Sequence, residues 1–188
     1  MNQPPYILSI CGKAEVDRFA ASKITHLLSL EDPGTPKRTP AWFKGPHVQL
    51  HFHDVDTPSE ENSSRGVAPA KSHVTEILRM GASCLEAATM GPVHLLVHCH
   101  AGISRSTAAA FAMTTQALGV EKAMEALEFV LENRPEAFPN LLIVQHADRL
   151  LQADGRLLAA LQPLRDQFSQ AIEDWLGNSG EYDRRQHL

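Results

Sequence analysis

The chain has 188 residues, an apolar fraction of 43%, a charged fraction of 21% and a formal net charge of -5. This length suits one domain with a sizeable core, and the near-average composition argues against disorder throughout the chain. A net negative charge leaves no basic footprint for nucleic acid or for an anionic membrane surface, so we expect neither as a partner, and any recognition of anions must be local.

Cysteine content and hydropathy indicate a cytoplasmic protein. The cysteines number three, an odd count, and their scattered positions do not form a disulfide framework, which indicates a reducing compartment. No stretch approaches the roughly 18 to 20 apolar residues that span a bilayer. Met1–Pro5 has neither the charge nor the apolar run of a secretory leader. We therefore predict a cytoplasmic location.

The first half of the chain alternates between predicted strands and helices. Val93–Val97 is almost entirely apolar, which is typical of a central strand covered on both faces, as in a parallel sheet flanked by helices. In chain order, the pattern predicts a strand at Tyr6–Ile10, a short helix at Glu15–Ser22, strands at Ile24–Leu30 and Val48–Phe52, a helix at Pro69–Ala88 and the strand Val93–Val97. The Pro- and Gly-rich segment Glu31–Pro46 is predicted to be a surface loop.

The second half is predicted to be helical. Apolar residues at helical spacing indicate helices at Arg105–Leu118, at Val120–Glu132 and from Leu141 to at least Trp175. Gly155 and Pro163 could divide the last of these into two or three pieces.

This order of elements predicts an α/β fold: a central, mostly parallel sheet of four or five strands flanked by helices, with extra helices at the carboxyl end. We expect a single domain over residues 1–177, with a core at about 6–150 and a helical extension at about 151–177. A polar tail follows at 178–188 and is predicted to fray.

The segment His98–Ser106 carries the clearest chemical signal. It follows the apolar strand and leads into a helix, so its backbone N–H groups can converge on one point together with the positive end of the helix dipole. Such a point favours a dianion such as phosphate. Cys99 lies at the end of the strand, where the same N–H groups would stabilise a thiolate and make the sulfur nucleophilic.

Other side chains of this segment complete the expected site. Arg105 can hold two phosphate oxygens in a bidentate pair, a geometry that Lys cannot reproduce. Gly102 lets the backbone approach the ligand and is expected to adopt a conformation that is costly for other residues. Ser106 can donate a hydrogen bond to the leaving sulfur, and His98 is expected to orient the loop.

These residues match the Cys-x5-Arg signature, and the chain resembles the protein tyrosine phosphatase superfamily. The run His-Cys-x-Ala-Gly-x-Ser-Arg-Ser is similar to the compact, dual-specificity-type branch, and bacterial tyrosine phosphatases have a similar length. Arg134–Pro135 and Pro139–Asn140 resemble the segment that follows the loop helix in that branch. The resemblance covers roughly residues 6–150 and implies a phosphatase fold, a phosphocysteine intermediate on Cys99, and no cofactor or metal.

The same resemblance implies further site residues. Asn140 would support the site, and phosphate would be bound by the loop residues His100, Ala101, Gly102, Ile103, Ser104 and Arg105. The implied partner is a phosphorylated protein or peptide, with phosphate or another oxyanion in the loop. Phosphotyrosine is the expected ester, and phosphoserine or phosphothreonine stays open.

A general acid should protonate the leaving oxygen, a contribution of typically ~10²- to 10⁴-fold. Alternate side chains of a strand lie on the same face, so Asp54 follows Leu50 and Phe52 on the predicted buried face. If this strand is parallel to Val93–Val97, Asp54 would lie beside Cys99 at the carboxyl edge of the sheet. Asp56 is the alternative. The polar segment from Thr57 to Pro69 suits a lid or a substrate rim.

Competing interpretations remain open. Histidines suggest a metal site, with His51 and His53 on one strand face and His98 and His100 beside the cysteine, but zinc sites usually need three or four converging ligands. A phosphate-binding module without catalysis is possible in principle, although no disabling change is visible. Phosphoinositide hydrolysis is disfavoured because the loop holds no lysine. Cys11 or Cys84 could act as a resolving thiol if either lay close to Cys99.

Overall fold

The computed structural model describes residues 3–56 and 66–185, and a sheet of four strands lies at its centre. The strands are paired in parallel in the order β1-β4-β2-β3, which confirms the predicted α/β fold. Their bounds are β1 (Ile7–Gly12), β2 (His26–Glu31), β3 (His47–His51) and β4 (His94–Cys99), each end within two residues of its prediction. The carboxyl ends of all four strands therefore meet at one edge of the sheet.

Helices follow the predicted order, with changes at two places. The described helices are α1 (Lys71–Ala88), α2 (Arg105–Leu118), α3 (Ala123–Asn133), α4 (Leu141–Leu150) and α5 (Arg156–Arg185). The predicted helix at 15–22 is instead a 3₁₀ helix, Lys13–Phe19, and another 3₁₀ turn, Val120–Lys122, precedes α3.

The predicted helix from Leu141 to Trp175 divides near Gly155, one of the two breaks we considered. Backbone φ is positive at Gln152 (54°), Asp154 (51°) and Gly155 (84°), so the chain cannot continue as a right-handed helix. The carboxylate of Asp148 accepts hydrogen bonds from the N–H groups of Gly155 (2.9 Å) and Leu157 (3.0 Å), which fixes the start of α5. Beyond this turn α5 passes through Pro163 without a break and extends past residue 177.

The main core lies between one face of the sheet and the helices. Leu28, Leu95 and Val97 on this face are fully buried, and α2 packs against them through an alanine-rich stretch, Ala108–Ala112, that also contains the buried Phe111. The opposite face has a smaller apolar cluster covered by the 3₁₀ helix and by the loop that carries Phe43. Because α2 is buried along most of its length, its first turn and the loop before it have little freedom to move.

In the described part of the chain, no helix combines the length and the hydropathy needed to cross a bilayer.

Candidate active site

Cys99 lies at the carboxyl end of β4, at the floor of a cup formed by the next seven residues. Its side chain is 1% exposed. The sulfur accepts a hydrogen bond from the N–H of Gly102 (3.3 Å), and the Ser106 hydroxyl lies 3.2 Å away. A thiolate at this position would be stabilised by both donors.

The carbonyl groups of the loop are bound from outside the cup. The carbonyl oxygens of His100, Ile103 and Ser104 accept hydrogen bonds from backbone N–H groups of other segments, at Lys13 (3.1 Å), Phe138 (2.8 Å) and Asn140 (3.3 Å). A fourth, that of Ala101, accepts from the Arg134 guanidinium at 3.3 Å. In a trans peptide the C=O and the following N–H point in opposite directions, so outward carbonyls turn the N–H groups towards the centre. The loop is thereby arranged as an anion-binding nest.

Gly102 is required by geometry. Its φ is 77°, in the left-handed region, as the sequence predicted. A Cβ at this position would lie 2.5 Å from the carbonyl carbon of Cys11 and 2.5 Å from the nitrogen of Gly12. The loop thus packs directly on the end of β1, and any side chain would push the two apart.

Arg105 is the first residue of α2, and its guanidinium lies between the carboxylates of Asp32 and Asp54. Nη1 donates to Asp32 Oδ1 (2.7 Å) and to the carbonyl oxygen of Phe52 (2.8 Å). The side chain is 3% exposed, and its Nε has no hydrogen-bond partner among the described residues. One edge of the guanidinium is therefore fixed by hydrogen bonds.

Sequence reasoning did not identify Asp32. Asp32 directly follows β2, which pairs in parallel with β4, so it lies at the same edge of the sheet as Cys99. This position after a strand was the signal by which the sequence could have indicated Asp32. Without a strand order, that signal could not be used.

Asp54 lies at the rim of the cup. Its Oδ1 accepts hydrogen bonds from the Ser104 hydroxyl (2.7 Å) and from Asn140 Nδ2 (2.9 Å), and its Oδ2 lies 3.8 Å from Arg105 Nε. The side chain is 39% exposed. The structure thus brings this carboxylate to the loop from a different strand.

Asp56 makes its contacts further from the cup. Its Oδ1 accepts from the backbone N–H of Leu141 (2.5 Å), and its Oδ2 pairs with Arg165 of α5 (2.5 Å). Of the predicted lid, residues 57–65 lie outside the described part of the chain.

Asn140 connects residues 52–56, the acid-bearing segment that contains Asp54 and Asp56, with α4. Its side chain is fully buried, and Nδ2 donates to the carbonyl oxygen of Val55 (3.0 Å) as well as to Asp54. Its Oδ1 accepts from the N–H of Ile143 (3.1 Å) and so caps the helix.

The two histidines beside Cys99 lie in different environments. His98 is buried on the opposite face of β4, where Nε2 lies 2.6 Å from the Ser29 hydroxyl. Burial lowers the pKa of His98, so its imidazole is neutral near pH 7. His100 is exposed at the rim, as are Ala101 and Ile103. Among the described residues, no group of three or more His, Cys, Asp or Glu side chains could hold a metal ion.

The other two cysteines are free thiols buried in the protein. Burial, with a smaller contribution from Glu15, raises the pKa of the Cys11 thiol to about 12, and burial raises that of Cys84 to about 12. Cys11 packs in the cluster on the sheet face opposite to that of Cys99. These environments argue against the resolving role that we considered from the sequence.

Proteins similar in sequence to this chain include dual specificity phosphatases. Mouse dual specificity protein phosphatase 15 is 30% identical over 72% of this chain, and mouse dual specificity protein phosphatase 22 is 30% identical over the same share. The chain spans 49% of the first and 64% of the second, so it corresponds to about half to two thirds of these relatives. The crystal structure of DUSP15 superposes with a TM-score of 0.56 at 22% identity, covering 90% of this chain and 94% of that one. No protein-family model matches the chain.

Proposed function

Because the chain belongs to the protein tyrosine phosphatase superfamily, as a member of the dual-specificity type, we propose that it hydrolyses phosphate monoesters through a phosphocysteine on Cys99. The observation that carries this proposal is the arrangement at the sulfur. The N–H of Gly102 and the hydroxyl of Ser106 contact one buried thiol, and the helix that follows the loop begins with the anchored Arg105.

In the first step the Cys99 thiolate attacks phosphorus. A sulfur–phosphorus bond forms, the phosphorus–oxygen bond to the leaving group breaks, and Asp54 gives its proton to the departing oxygen. Arg105 and the inward N–H groups stabilise the charge on the transferred phosphoryl oxygens. Asp54 suits the role because its carboxylate is bonded to Ser104 of the loop itself, whereas Asp56 is engaged with α4 and α5.

In the second step water attacks the phosphocysteine. Asp54, now a carboxylate, takes a proton from the water, the sulfur–phosphorus bond breaks, and inorganic phosphate is released with the thiolate regenerated. The Ser106 hydroxyl, 3.2 Å from the sulfur, donates a hydrogen bond that stabilises the departing thiolate. No step requires a cofactor.

The substrate we propose is a phosphorylated protein or peptide, with phosphotyrosine preferred. Two cations near the cup are paired with carboxylates: Lys13 with Glu31 (2.9 Å), and Arg134 with Glu15 (3.3 Å). A polyphosphorylated lipid headgroup would meet these paired cations and the exposed carboxylate of Asp32. One phosphoryl group held by the loop fits this charge distribution better, so phosphoinositide hydrolysis is the less favoured alternative.

Phosphate release from a panel of substrates tests the proposal. We expect the wild-type protein to release phosphate from a phosphotyrosine peptide faster than from phosphoserine or phosphothreonine peptides, and more slowly still from phosphoinositide vesicles. The Cys99→Ser protein serves as the control for contaminating activity. Faster release from the vesicles would reverse the substrate assignment. Binding of phosphopeptide without any release would instead support a binding module.

A further inference from the structure

We propose that Arg165 of α5 is a positioning residue for the general acid, so that the carboxyl-terminal helix sets the efficiency of leaving-group protonation. This inference rests on the proposed phosphatase function. It gives a role in catalysis to α5, the helical extension, which has no role in the mechanism proposed above.

The start of α5 is firmly attached to the domain. Leu157, Ala160 and Leu161 are buried at helical spacing and belong to the same apolar cluster as the sheet. Asp148 holds the first turn through the bonds described above. Residues one turn further along the helix therefore occupy a defined position relative to the site.

Arg165 contacts the acid-bearing segment, residues 52–56. Its Nη2 pairs with Asp56 Oδ2 at 2.5 Å, and the two side chains are 23% and 36% exposed. The other oxygen of Asp56 is bonded to the first N–H of α4. Asp56 therefore lies between two helices, two residues from the proposed acid.

Arg165 also contacts a support of the phosphate loop. Its guanidinium carbon lies 5.0 Å from the centroid of the Phe138 ring, and that ring packs on Phe168 of α5 at 4.6 Å. The backbone N–H of Phe138 donates a hydrogen bond to the outward-pointing carbonyl oxygen of Ile103 in the phosphate loop. The Arg165 side chain thus contacts both the acid-bearing segment, through Asp56, and Phe138, which supports the phosphate loop. The distance between that segment and the loop decides whether the proposed acid can reach the leaving oxygen.

These contacts have a directional consequence for the acid-bearing segment. Asn140 binds Asp54 and Val55, and Arg165 binds Asp56, so three consecutive residues are tied to the helices behind them. Loss of the outermost tie should let the segment move away from the cup without disturbing Cys99 or Arg105. Protonation of the leaving group should weaken, while nucleophilic attack should not.

The test compares two aryl phosphates with the wild-type, Arg165→Ala, Arg165→Lys and Arg156→Ala proteins. Phenyl phosphate needs protonation of its leaving oxygen, whereas 2,4-dinitrophenyl phosphate does not. Arg156 is the matched control because it lies on the same helix and pairs with the exposed Asp154 instead. We expect Arg165→Ala to lower kcat/KM for phenyl phosphate about two- to fivefold, the range of a partly exposed ion pair, with no change for the dinitrophenyl ester.

The conservative and control variants decide between a positioning and a structural role. Arg165→Lys should restore most of the phenyl phosphate activity, and Arg156→Ala should leave both substrates unchanged. An equal fall for both esters in Arg165→Ala, or no fall for either, would overturn the proposal.

Amide hydrogen exchange gives a readout that does not depend on turnover. Exchange in residues 52–56 should be faster in Arg165→Ala than in wild type and unchanged in Arg156→Ala. Unchanged exchange in Arg165→Ala would overturn the proposal. An inactive wild-type protein would refute the proposed function, and the exchange comparison would then decide alone whether Arg165 holds the segment.

Discussion

The phosphate loop, His98–Ser106, and the acid-bearing segment, residues 52–56, are built in opposite ways. The loop is one continuous run of chain between β4 and α2, and the side chains of the proposed nucleophile and clamp, Cys99 and Arg105, are 1% and 3% exposed. Asp54 and Asp56 are 39% and 36% exposed, and their side-chain partners Asn140 and Arg165 lie 86 and 109 positions away in sequence.

This difference predicts two kinds of mutational response. Chain connectivity and burial fix the proposed nucleophile and the proposed clamp, so a change there should affect every substrate. The proposed acid is held by separate tertiary contacts, and a change there should be graded and should depend on how much the leaving group needs a proton.

The largest effect is expected at the nucleophile. Cys99→Ser should lower kcat/KM by at least about 10³-fold for both phenyl and dinitrophenyl phosphate, because the replacement hydroxyl is a far weaker nucleophile at neutral pH. Phosphate should still bind, which equilibrium dialysis can measure. Retained hydrolysis of either ester would exclude Cys99 as the attacking group.

Arg105→Lys should come next. The lysine keeps the charge but loses the planar fork, so we expect a loss on the order of 10²- to 10³-fold in kcat for both esters, as for removal of a transition-state donor. Arg79→Lys is the matched control, since Arg79 pairs with Glu76 on the exposed side of α1. A loss confined to phenyl phosphate would show that Arg105 acts through the acid.

Asp54→Asn should separate the two regions most clearly. Phenyl phosphate hydrolysis should fall about 10²-fold or more, and dinitrophenyl phosphate hydrolysis should change little in the first step, measured as a burst of the released phenol. The alkaline limb of the pH–rate profile for phenyl phosphate should flatten. If Asp56→Asn produced these changes and Asp54→Asn did not, Asp56 would be the acid.

The smallest effect concerns stability. Burial lowers the pKa of His98 behind the loop, and burial likewise lowers the pKa of His73, whose ring stacks on Phe52 at 4.8 Å. Below the unfolded-state pKa of about 6.5 the unfolded chain binds more protons than the folded one, so the free energy of unfolding should decrease as pH falls. Urea unfolding between pH 7.5 and 5.5 should show this slope, reduced in His98→Gln and in His73→Gln. A slope unaffected by both substitutions would contradict the assignment.

Local patterns were sufficient to predict the loop and the sheet. The apolar run before Cys99 and the glycine at position 102 specify a strand, a tight turn and a helix within a few residues of one another. Period-2 alternation also placed Asp54 at the end of its strand, although alternation by itself did not distinguish it from Asp56.

The remaining features depend on contacts between distant parts of the chain. Asp32 reaches Arg105 because β2 lies beside β4, and Arg165 reaches Asp56 because α5 folds back over α4. The turn between α4 and α5 depends on left-handed conformations at Gln152 and Asp154 that neither residue type requires. Contacts between such distant residues cannot be predicted from composition and periodicity alone.

Trapping the intermediate tests the central claim most directly. Wild-type protein mixed with excess 2,4-dinitrophenyl phosphate, quenched in acid within the first turnovers and digested should carry one phosphoryl group on the peptide that contains Cys99. The Cys99→Ser protein should carry none. Steady turnover with no phosphoryl group on that peptide, or with the group on His98 or His100, would contradict the mechanism.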